Sequence, residues 1–260
     1  MNISVEKNVI YDEVYNLVLD IYKPENKNGY GIIDIHGGGW FQGDKTKDED
    51  LSRKLAYEGY TIITPNYRSA SDYPFPAARD DIIDVYDWAI DSKIVNKKIG
   101  VIGSSSGGNL AIELSLAKGI PAVSWSGIID IDNWLNNHID VQPVKDTTQN
   151  AEKLSSDRVD QGGPNDSYYK WFVLNYINDD PKKAKEASLV YRVNESAGPM
   201  FLVNSINELA PAEGIIMLSK ELSSFGVPVM TKLIPGGKHG KGYMKEAWKY
   251  TLDFFHEYLK

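Results

Sequence analysis

The sequence predicts an α/β fold in which a mostly parallel sheet is covered by helices on both faces. Short β-branched runs alternate along the chain with stretches of helical spacing, the pattern of parallel strands joined by crossover helices. Several strand-like runs, such as GVIG and FLV, are continuously apolar, as strands buried on both faces should be. The runs often end in Gly, Pro or Asn, residues that favour turns.

Seven runs have the composition of strands. They are YNLVLDIY (15–22), GIIDIH (31–36), TIITPNY (61–67), IGVIG (99–103), AVSWSG (122–127), FLVNS (201–205) and VMTKLI (229–234). Between most of them lie helix-like stretches, some opened by proline and closed by glycine as helix ends commonly are. The helix-like stretches are DEDLSRKLAYEG (48–59), AARDDIIDVYDWAIDSK (77–93), the run after Gly108, AEGIIMLSKELSSFG (212–226) and YMKEAWKYTLDFFHEYL (243–259).

The alternation breaks between about Ile129 and Pro199, where tryptophan and tyrosine are frequent and strand signals are few. We therefore predict a single domain over residues 1–260 with a cap-like insertion at 129–199 that covers a site. The alternative is a pair of ordinary surface helices whose aromatic residues belong to the core.

Composition narrows the classes of function. The 260 residues carry 28 basic and 36 acidic side chains, a net charge of −8, which argues against a nucleic-acid partner. The lack of cysteine excludes disulfides, thiolate metal sites and a cysteine nucleophile. The N-terminus lacks the features of a signal peptide, and no stretch approaches the roughly 20 apolar residues that span a bilayer. We expect a soluble, cytoplasmic protein without a membrane partner.

The stretch GSSSG (103–107) matches G-x-S-x-G, with Ser105 at its centre. It lies between a strand-like run and a helix-like run, and this context is typical of a nucleophile elbow. The elbow would hold Ser105 clear of the sheet, at a helix N-terminus that favours negative charge. The neighbouring Ser104 and Ser106 would point elsewhere, while the amide of Ser106 would serve as an oxyanion donor. The alternative is a Gly/Ser loop in which one serine caps the helix.

The stretch HGGGW (36–40) follows the strand-like run GIIDI. Three successive glycines expose backbone N–H groups, and we expect Gly37 and Gly38 to donate them to a developing oxyanion. A phosphate-binding loop is the alternative, but G-x-G-x-x-G spacing and a following GK[ST] are both missing. Gly39 is expected to shape the loop, and His36 to hold it by hydrogen bonds.

The chain has four histidines, and His239 has the context expected of a catalytic base. It lies in the glycine-rich loop PGGKHGKGY (235–243), after a strand-like run and near the C-terminus. His256 belongs to the terminal helix pattern, and His138 lies in the insertion without a partner pattern. With no HExxH sequence and few, scattered histidines, we expect neither a metal nor a cofactor.

Together, HGGGW, G-x-S-x-G and the late GGxHG loop resemble the α/β-hydrolase fold, and more closely the HGGG-type esterases of the hormone-sensitive-lipase and acetyl-esterase kind. NYR (66–68), YPFPAARDD (73–81) and GGNLA after the elbow add to this resemblance. It implies a serine–acid–histidine triad. Ser105 would attack an acyl carbonyl, His239 would take its proton, and amides of Gly37, Gly38 and Ser106 would stabilise the oxyanion.

The acid departs from that family pattern. The family places an aspartate before the proline of the loop that here reads FLVNSINELAPAE (201–213), and this alignment puts Asn207 at its position. We predict that the adjacent Glu208 is the acid. The alternatives are that Glu213 or another acidic residue serves as the acid, or that the acid has been lost from this site. Asp80 and Asp81 are expected to be structural, with a carboxylate accepting from amides of the glycine loop.

The resemblance favours a carboxylesterase for short acyl or aryl esters, similar to bacterial carbohydrate esterases that remove acetyl or feruloyl groups from plant polysaccharides. Trp40 is expected to contact the substrate, a small-molecule or oligosaccharide ester. An amide hydrolase, such as a formamidase or small-peptide hydrolase, would use the same triad. A non-catalytic binding protein is the third reading, supported only by Asn207. A homodimer through an exposed edge strand or the cap is also possible.

Overall fold

The computed structural model describes residues 2–145 and 166–260, and the strands in these ranges form one sheet in the order β1-β2-β4-β3-β5-β6-β7-β8. The strands are β1 (Ile3–Asp12), β2 (Leu17–Pro24), β3 (Gly31–Ile35), β4 (Thr61–Pro65), β5 (Ile99–Ser104), β6 (Ala122–Trp125), β7 (Met200–Ser205) and β8 (Val229–Ile234). The α-helices are α1 (Glu49–Tyr57), α2 (Ala77–Asp91), α3 (Ser106–Lys118), α4 (Ile131–Asn137), α5 (Asp166–Ile177), α6 (Pro181–Ala187), α7 (Glu213–Ser224) and α8 (Met244–Leu259).

The sheet is antiparallel at one edge and parallel over the rest. β2 pairs antiparallel with both β1 and β4, whereas every neighbouring pair from β4 to β8 is parallel. Parallel neighbours need a crossover connection, which the helices supply. The carboxyl ends of these strands consequently meet at one edge, where ligands bind in open α/β sheets. The predicted α/β fold is confirmed.

Helices cover both faces, which explains why the central strands are apolar throughout. Ile32 of β3 packs into a core cluster with Leu55 of α1 and Phe255 of α8. The next residue, Ile33, points to the opposite face and joins the cluster that contains residues of α2, α3 and α7. Because each strand residue is buried on one face or the other, the alternation of polar and apolar residues disappears.

The sequence patterns did not predict β1. Its residues alternate between exposed and partly buried, and charged side chains occupy several of its positions. Shifts of register between Glu6 and Val9 and between Ile10 and Asp12 interrupt the pairing with β2. An antiparallel edge strand with such irregularities lacks both the continuous apolar run and the strict alternation that identify strands.

The predicted insertion at 129–199 contains α4, α5 and α6 in its described part, and its residues 146–165 lie outside the described residues. Its aromatic side chains pack against the loop that follows β3. Tyr176 of α5 stacks on Trp40 at a ring-centroid distance of 3.8 Å, and Phe41 meets Trp171 edge-on at 4.9 Å. Helix α5 therefore lies beside the glycine loop at the carboxyl edge of the sheet.

Candidate active site

Ser105 occupies a sharp turn between β5 and α3. Its backbone has φ 58° and ψ −125°, a conformation that non-glycine residues rarely adopt and that characterises strained functional turns. The turn is held in place because the N–H of Ser105 donates to the carbonyl oxygen of Trp125 at 2.8 Å. Ser105 faces the cleft described below, whereas Ser104 and Ser106 are buried and do not line it.

Two glycines allow the main chain of the elbow to lie close to the end of β3 and to the glycine loop. A Cβ added to Gly107 would lie 2.1 Å from the carbonyl oxygen of Ile35, the last residue of β3. A Cβ added to Gly37 would lie 2.7 Å from the Ser104 carbonyl oxygen and 3.1 Å from the Ser105 Cβ. Any side chain at either position would push the glycine loop and the elbow apart.

The glycine loop directly follows β3 and is held by His36. The Nδ1–H of His36 donates to the Gly37 carbonyl oxygen at 2.9 Å, and its ring stacks on Tyr67 at 4.4 Å. Tyr67 in turn donates its hydroxyl to the His36 carbonyl oxygen at 2.9 Å. Burial lowers the pKa of His36 to about 4, so its ring is neutral near pH 7 and serves the loop's structure.

Two segments of main chain that carry the predicted oxyanion donors lie next to Ser105. Gly37, Gly38 and Gly39 line the same cleft as Ser105. The N–H of Ser106 belongs to the first turn of α3, where amides have no acceptor within the helix. The role of Gly37, Gly38 and Ser106 as oxyanion donors stays a prediction, and the dipole of α3 adds a favourable field for negative charge.

His239 contacts Glu208, the predicted acid. The distance between His239 Nδ1 and Glu208 Oε2 is 2.6 Å, and both side chains are almost fully buried. Asn207 is exposed, and its backbone N–H donates to the Gly236 carbonyl oxygen at 3.0 Å. Glu213 is exposed and lies at a different cleft. The structure therefore brings Glu208, and neither alternative residue, to the histidine.

The second carboxylate oxygen of Glu208 is also bound. Oε1 accepts from the N–H of Ser205 at 2.6 Å and from the hydroxyl of Ser126 at 2.9 Å. The carboxylate is thereby fixed with Oε2 directed at the histidine.

Ser126, which follows β6, links the acid to the histidine loop, a role that the sequence analysis missed. Its Oγ accepts from the N–H of Gly240 at 2.8 Å and lies 2.7 Å from the Tyr243 hydroxyl. The Tyr243 hydroxyl also donates to the Val203 carbonyl oxygen at 2.9 Å, which ties it to the end of β7. Burial and the charge of Glu208 raise the pKa of Tyr243 well above its ordinary value, which keeps its hydroxyl protonated. The sequence signal that could have indicated this role is a polar residue directly after β6, the strand that pairs with β5.

Ser105, His239 and the glycine loop line one cleft, together with Gln42, Lys47, Tyr168, Phe172 and Leu209. The two aromatic side chains come from α5, and burial lowers the pKa of Lys47. The cleft combines apolar walls with a few polar groups, as small-molecule sites commonly do.

The predicted substrate contact by Trp40 is wrong. Its side chain is fully buried and does not line the cleft. The residue has φ 62°, and its ring stacks on Tyr176 and packs 6.1 Å from Phe172. Trp40 supports the aromatic wall from behind.

Asp81 is structural, as predicted, but its partner differs from the predicted one. Its carboxylate accepts from the backbone N–H of Arg68 at 2.7 Å and from Nε at 2.8 Å. Asp80 pairs with Arg79 on the same helix. Neither carboxylate accepts from an amide of the glycine loop in the described hydrogen bonds.

The described residues contain no cluster of three or more His, Cys, Asp or Glu side chains placed to hold a metal ion. Within the same residues, no helix combines the length and the apolar character needed to cross a membrane.

The fold and this arrangement of side chains define an α/β-hydrolase of the serine esterase type. Comparison with family models gives the narrower assignment: the chain belongs to the BD-FAE family, whose model matches residues 19–220.

Several relatives carry esterase, deacetylase or hydrolase names. An arylesterase of Saccharolobus solfataricus is 36% identical over 110 residues, which are 40% of this chain and 36% of that protein. An arylacetamide deacetylase of Oryctolagus cuniculus is 33% identical over 108 residues, 37% of this chain and 27% of that protein. The similarity therefore spans only about a third of these two relatives. An ethyl acetate hydrolase of Pseudomonas putida is 24% identical over 241 residues, 86% of this chain and 71% of that protein.

Solved structures with the same fold include esterases. A truncated carbohydrate esterase from gut microbiota superposes with a TM-score of 0.76 at 20% identity, covering 98% of this chain and 95% of that one. An esterase of Pyrobaculum calidifontis gives a TM-score of 0.78 at 21% identity, covering 99% and 86%. At these identities the similarity establishes the fold.

Proposed function

We propose that the protein is a serine carboxylesterase that hydrolyses short-chain acyl or aryl esters through an acyl-enzyme. The observation that carries this proposal is the buried contact of 2.6 Å between Glu208 and His239, in a site where His239 shares one cleft with Ser105 and the glycine loop. A neutral imidazole oriented by a carboxylate can accept a proton from a serine hydroxyl.

In the proposed mechanism, Ser105 Oγ attacks the ester carbonyl carbon while its proton passes to His239 Nε2. Glu208 stabilises the imidazolium that forms. The N–H groups of Gly37, Gly38 and Ser106 bind the tetrahedral oxyanion, and each such donor contributes roughly 10²–10³ in turnover. The imidazolium then protonates the leaving alcohol, and the acyl group remains on Ser105. Water, deprotonated by His239, releases the acid and restores the serine.

The narrow cleft and its aromatic walls favour a small acyl group. Tyr168 and Phe172 supply an aromatic wall that suits an acetyl or an aryl acyl group such as feruloyl. One structural relative is named a carbohydrate esterase, and the natural substrates that we propose are acetyl or feruloyl esters on plant polysaccharide fragments.

Turnover of p-nitrophenyl acetate, ethyl ferulate and acetylated xylo-oligosaccharides tests the proposal, with labelling by a fluorophosphonate probe as a measure of the nucleophile. Ser105→Ala should abolish both activity and labelling. Ser104→Ala is the matched control, because that side chain is buried beside the elbow and does not line the cleft. Absence of turnover with every ester, or labelling that persists in Ser105→Ala, would refute the proposal.

A second function on the same triad is amide hydrolysis. The arylacetamide deacetylase among the relatives favours testing it, with p-nitroacetanilide compared directly with p-nitrophenyl acetate. A non-catalytic binding protein loses its support, because Glu208 rather than Asn207 contacts His239.

A cytoplasmic location and a homodimer through an exposed edge strand or the cap are also proposals. Fractionation of cells would test the first, and light scattering coupled to size exclusion the second.

A further inference from the structure

Lys241 is a buried cation two residues after His239, in a single 3₁₀ turn over Gly240–Tyr243. Its side chain is only 3% exposed. Lysine side chains are almost never buried to this degree unless they are paired, because removing an ammonium group from water is costly. The proposed reaction gives this side chain no role.

Two aspartates from the segment that follows the glycine loop bind Lys241. Its Nζ lies 3.1 Å from Oδ1 of Asp48, whose side chain is nearly as buried, and it donates to Asp50 Oδ1. Asp48 directly precedes α1, and Asp50 belongs to the first turn of that helix. Burial alone would lower the pKa of Lys241, but the charges of Asp48 and Asp50 raise it above its ordinary value, so the ammonium group stays charged.

A third carboxyl group, that of Asp34 on β3, lies close to these charges. Burial and the charge of Asp48 raise the pKa of Asp34 to about 8, so this carboxyl group is protonated near pH 7. Ser52 Oγ donates to its Oδ2 at 2.6 Å. Lys241 therefore acts as a counter-charge to the buried Asp48. Taking this counter-charge away from a buried carboxylate is strongly unfavourable, and the chain around Asp48 would move to let water reach it.

The segment bound by Lys241 also contributes to the catalytic cleft. Lys47, the residue directly before Asp48, lines that cleft together with Ser105 and His239. The ion pairs of Lys241 thus join the loop that carries the histidine to a piece of chain that forms a wall of the cleft. A change in the spacing of these two pieces would change the position of His239 relative to Ser105.

Hydrogen bonds from the ends of two strands fix the histidine loop at other points. The N–H of Gly240 donates to Ser126 Oγ at 2.8 Å, and Ser205 Oγ donates to the Lys238 carbonyl oxygen at 2.6 Å. Ser126 follows β6 and Ser205 ends β7, so both contacts come from the same part of the sheet. Among the ion pairs of the residues that the structure describes, only those of Lys241 join this loop to the start of α1.

We propose that Lys241 is a positioning residue for the esterase: its ion pairs with Asp48 and Asp50 clamp the histidine loop to the start of α1 and so hold His239 at Ser105. Such a clamp acts on the proton transfer between Ser105 and His239 and leaves the binding of the ester unchanged. The effect on turnover rests on the proposed function, whereas the effect on the placement of His239 does not.

Replacement of Lys241 by methionine removes the charge and keeps most of the length of the side chain. Lys241→Met should lower kcat for p-nitrophenyl acetate about 10²-fold and keep KM within about twofold, because a displacement of about 1 Å at a catalytic group can cost that much in rate. Lys238→Met is the matched control, since that side chain lies on the same loop but is exposed and pairs with Glu246 of α8. It should change kcat less than about twofold.

A double-mutant cycle identifies the partner through which Lys241 acts. Asp48→Asn should lower kcat by itself, and the double variant Asp48→Asn/Lys241→Met should lose no more than Lys241→Met alone. Asp50→Asn should lower kcat about threefold with the fold intact, since 65% of that side chain is exposed. Additive effects of Asp48→Asn and Lys241→Met would overturn the clamp, and so would a wild-type kcat in folded Lys241→Met.

The proton between His239 and Glu208 gives a readout that does not depend on activity. Because their contact is short and buried, the Nδ1 proton of the wild type should give a far-downfield NMR resonance that exchanges slowly with water. Lys241→Met should shift this resonance and speed its exchange, whereas Lys238→Met should leave both unchanged. A wild-type resonance in folded Lys241→Met would overturn the proposal even if the protein hydrolyses esters.

The remaining outcomes are also decisive. A changed resonance in Lys241→Met, together with no ester turnover by the wild type, would refute the esterase and retain the clamp. If Lys241→Met does not fold, Asp50→Asn takes its place, and a wild-type kcat and resonance in that variant would overturn the clamp. Circular dichroism and the thermal midpoint of unfolding establish which variants fold.

Discussion

Replacing Glu208 by glutamine tests the most specific feature of the proposed site. In the wild type, Oε1 is fixed by two donors, the Ser205 N–H and the Ser126 hydroxyl, and Oε2 faces His239 Nδ1. The glutamine carbonyl oxygen will keep the position of Oε1, because only an acceptor fits there. The side-chain NH₂ group will then face Nδ1, where the wild-type imidazole carries its proton.

Two donors cannot face each other, so the imidazole will move its proton to Nε2. That tautomer cannot accept the proton of Ser105, and the negative charge that stabilises the imidazolium is also lost. In serine proteases the corresponding exchange of aspartate for asparagine lowers turnover about 10⁴-fold. We expect a loss of about 10³–10⁴ in kcat, which corresponds to about 4–5.5 kcal/mol of transition-state stabilisation.

The assay is kcat and KM for p-nitrophenyl acetate, with the thermal midpoint of unfolding measured to verify that the variant folds. Asn207→Asp is the matched control, since that residue is the next one along the loop but is exposed. It should change kcat less than about threefold, an effect typical of a surface charge. The reasoning is refuted if Glu208→Gln keeps more than a tenth of the activity, or if Asn207→Asp has the larger effect.

Three further predictions concern the supporting structure. Ser126→Ala should lower kcat about tenfold and reduce stability, because it removes a hydrogen bond to a buried carboxylate and leaves the Gly240 N–H without its acceptor. Steady-state kinetics measure the change in kcat, and urea unfolding measures the change in stability. Wild-type values in both measurements would contradict the linking role of Ser126. Gly107→Ala should yield little folded protein, since its Cβ would lie 2.1 Å from a main-chain oxygen; circular dichroism showing a wild-type melting temperature would disprove the contact. The unfolded state protonates His36 below about pH 6.5, whereas the folded state does so only near pH 4, so acidification through this window should cost about 3 kcal/mol of stability. The free energies of unfolding of the wild type and of His36→Gln, measured over a pH series, should therefore diverge between these two values. Parallel curves would exclude the effect.

The sequence predicted best those parts of the site that depend on local backbone geometry. Ser105 and the glycine loop each follow a buried strand directly, and the strand–turn–helix context fixes how such residues project. His239 was identifiable because few histidines occur and this one lies in a glycine-rich loop near the C-terminus, whereas His36 begins the HGGGW loop.

The sequence was less informative where two neighbouring residues could exchange roles. Asn207 and Glu208 are both polar, and the tertiary hydrogen bond from the Asn207 N–H to Gly236 turns the former outward. Trp40 could have faced the cleft or the core, and its positive φ directs it inward. Ser126 acquires its role only when β6 and the histidine loop come together in space, so the linear pattern did not reveal it.

The close approach of Gly107 to Ile35 has a consequence for how substrate preference can change. The main chain of the elbow and the main chain at the end of β3 contact each other directly, with no side chain between them. This contact sets the spacing between Ser105 and the amides that would receive the negative charge. The walls formed by Tyr168 and Phe172 belong to a separate helix. Substitutions in those walls can therefore alter which acyl groups enter while the chemical step keeps its geometry.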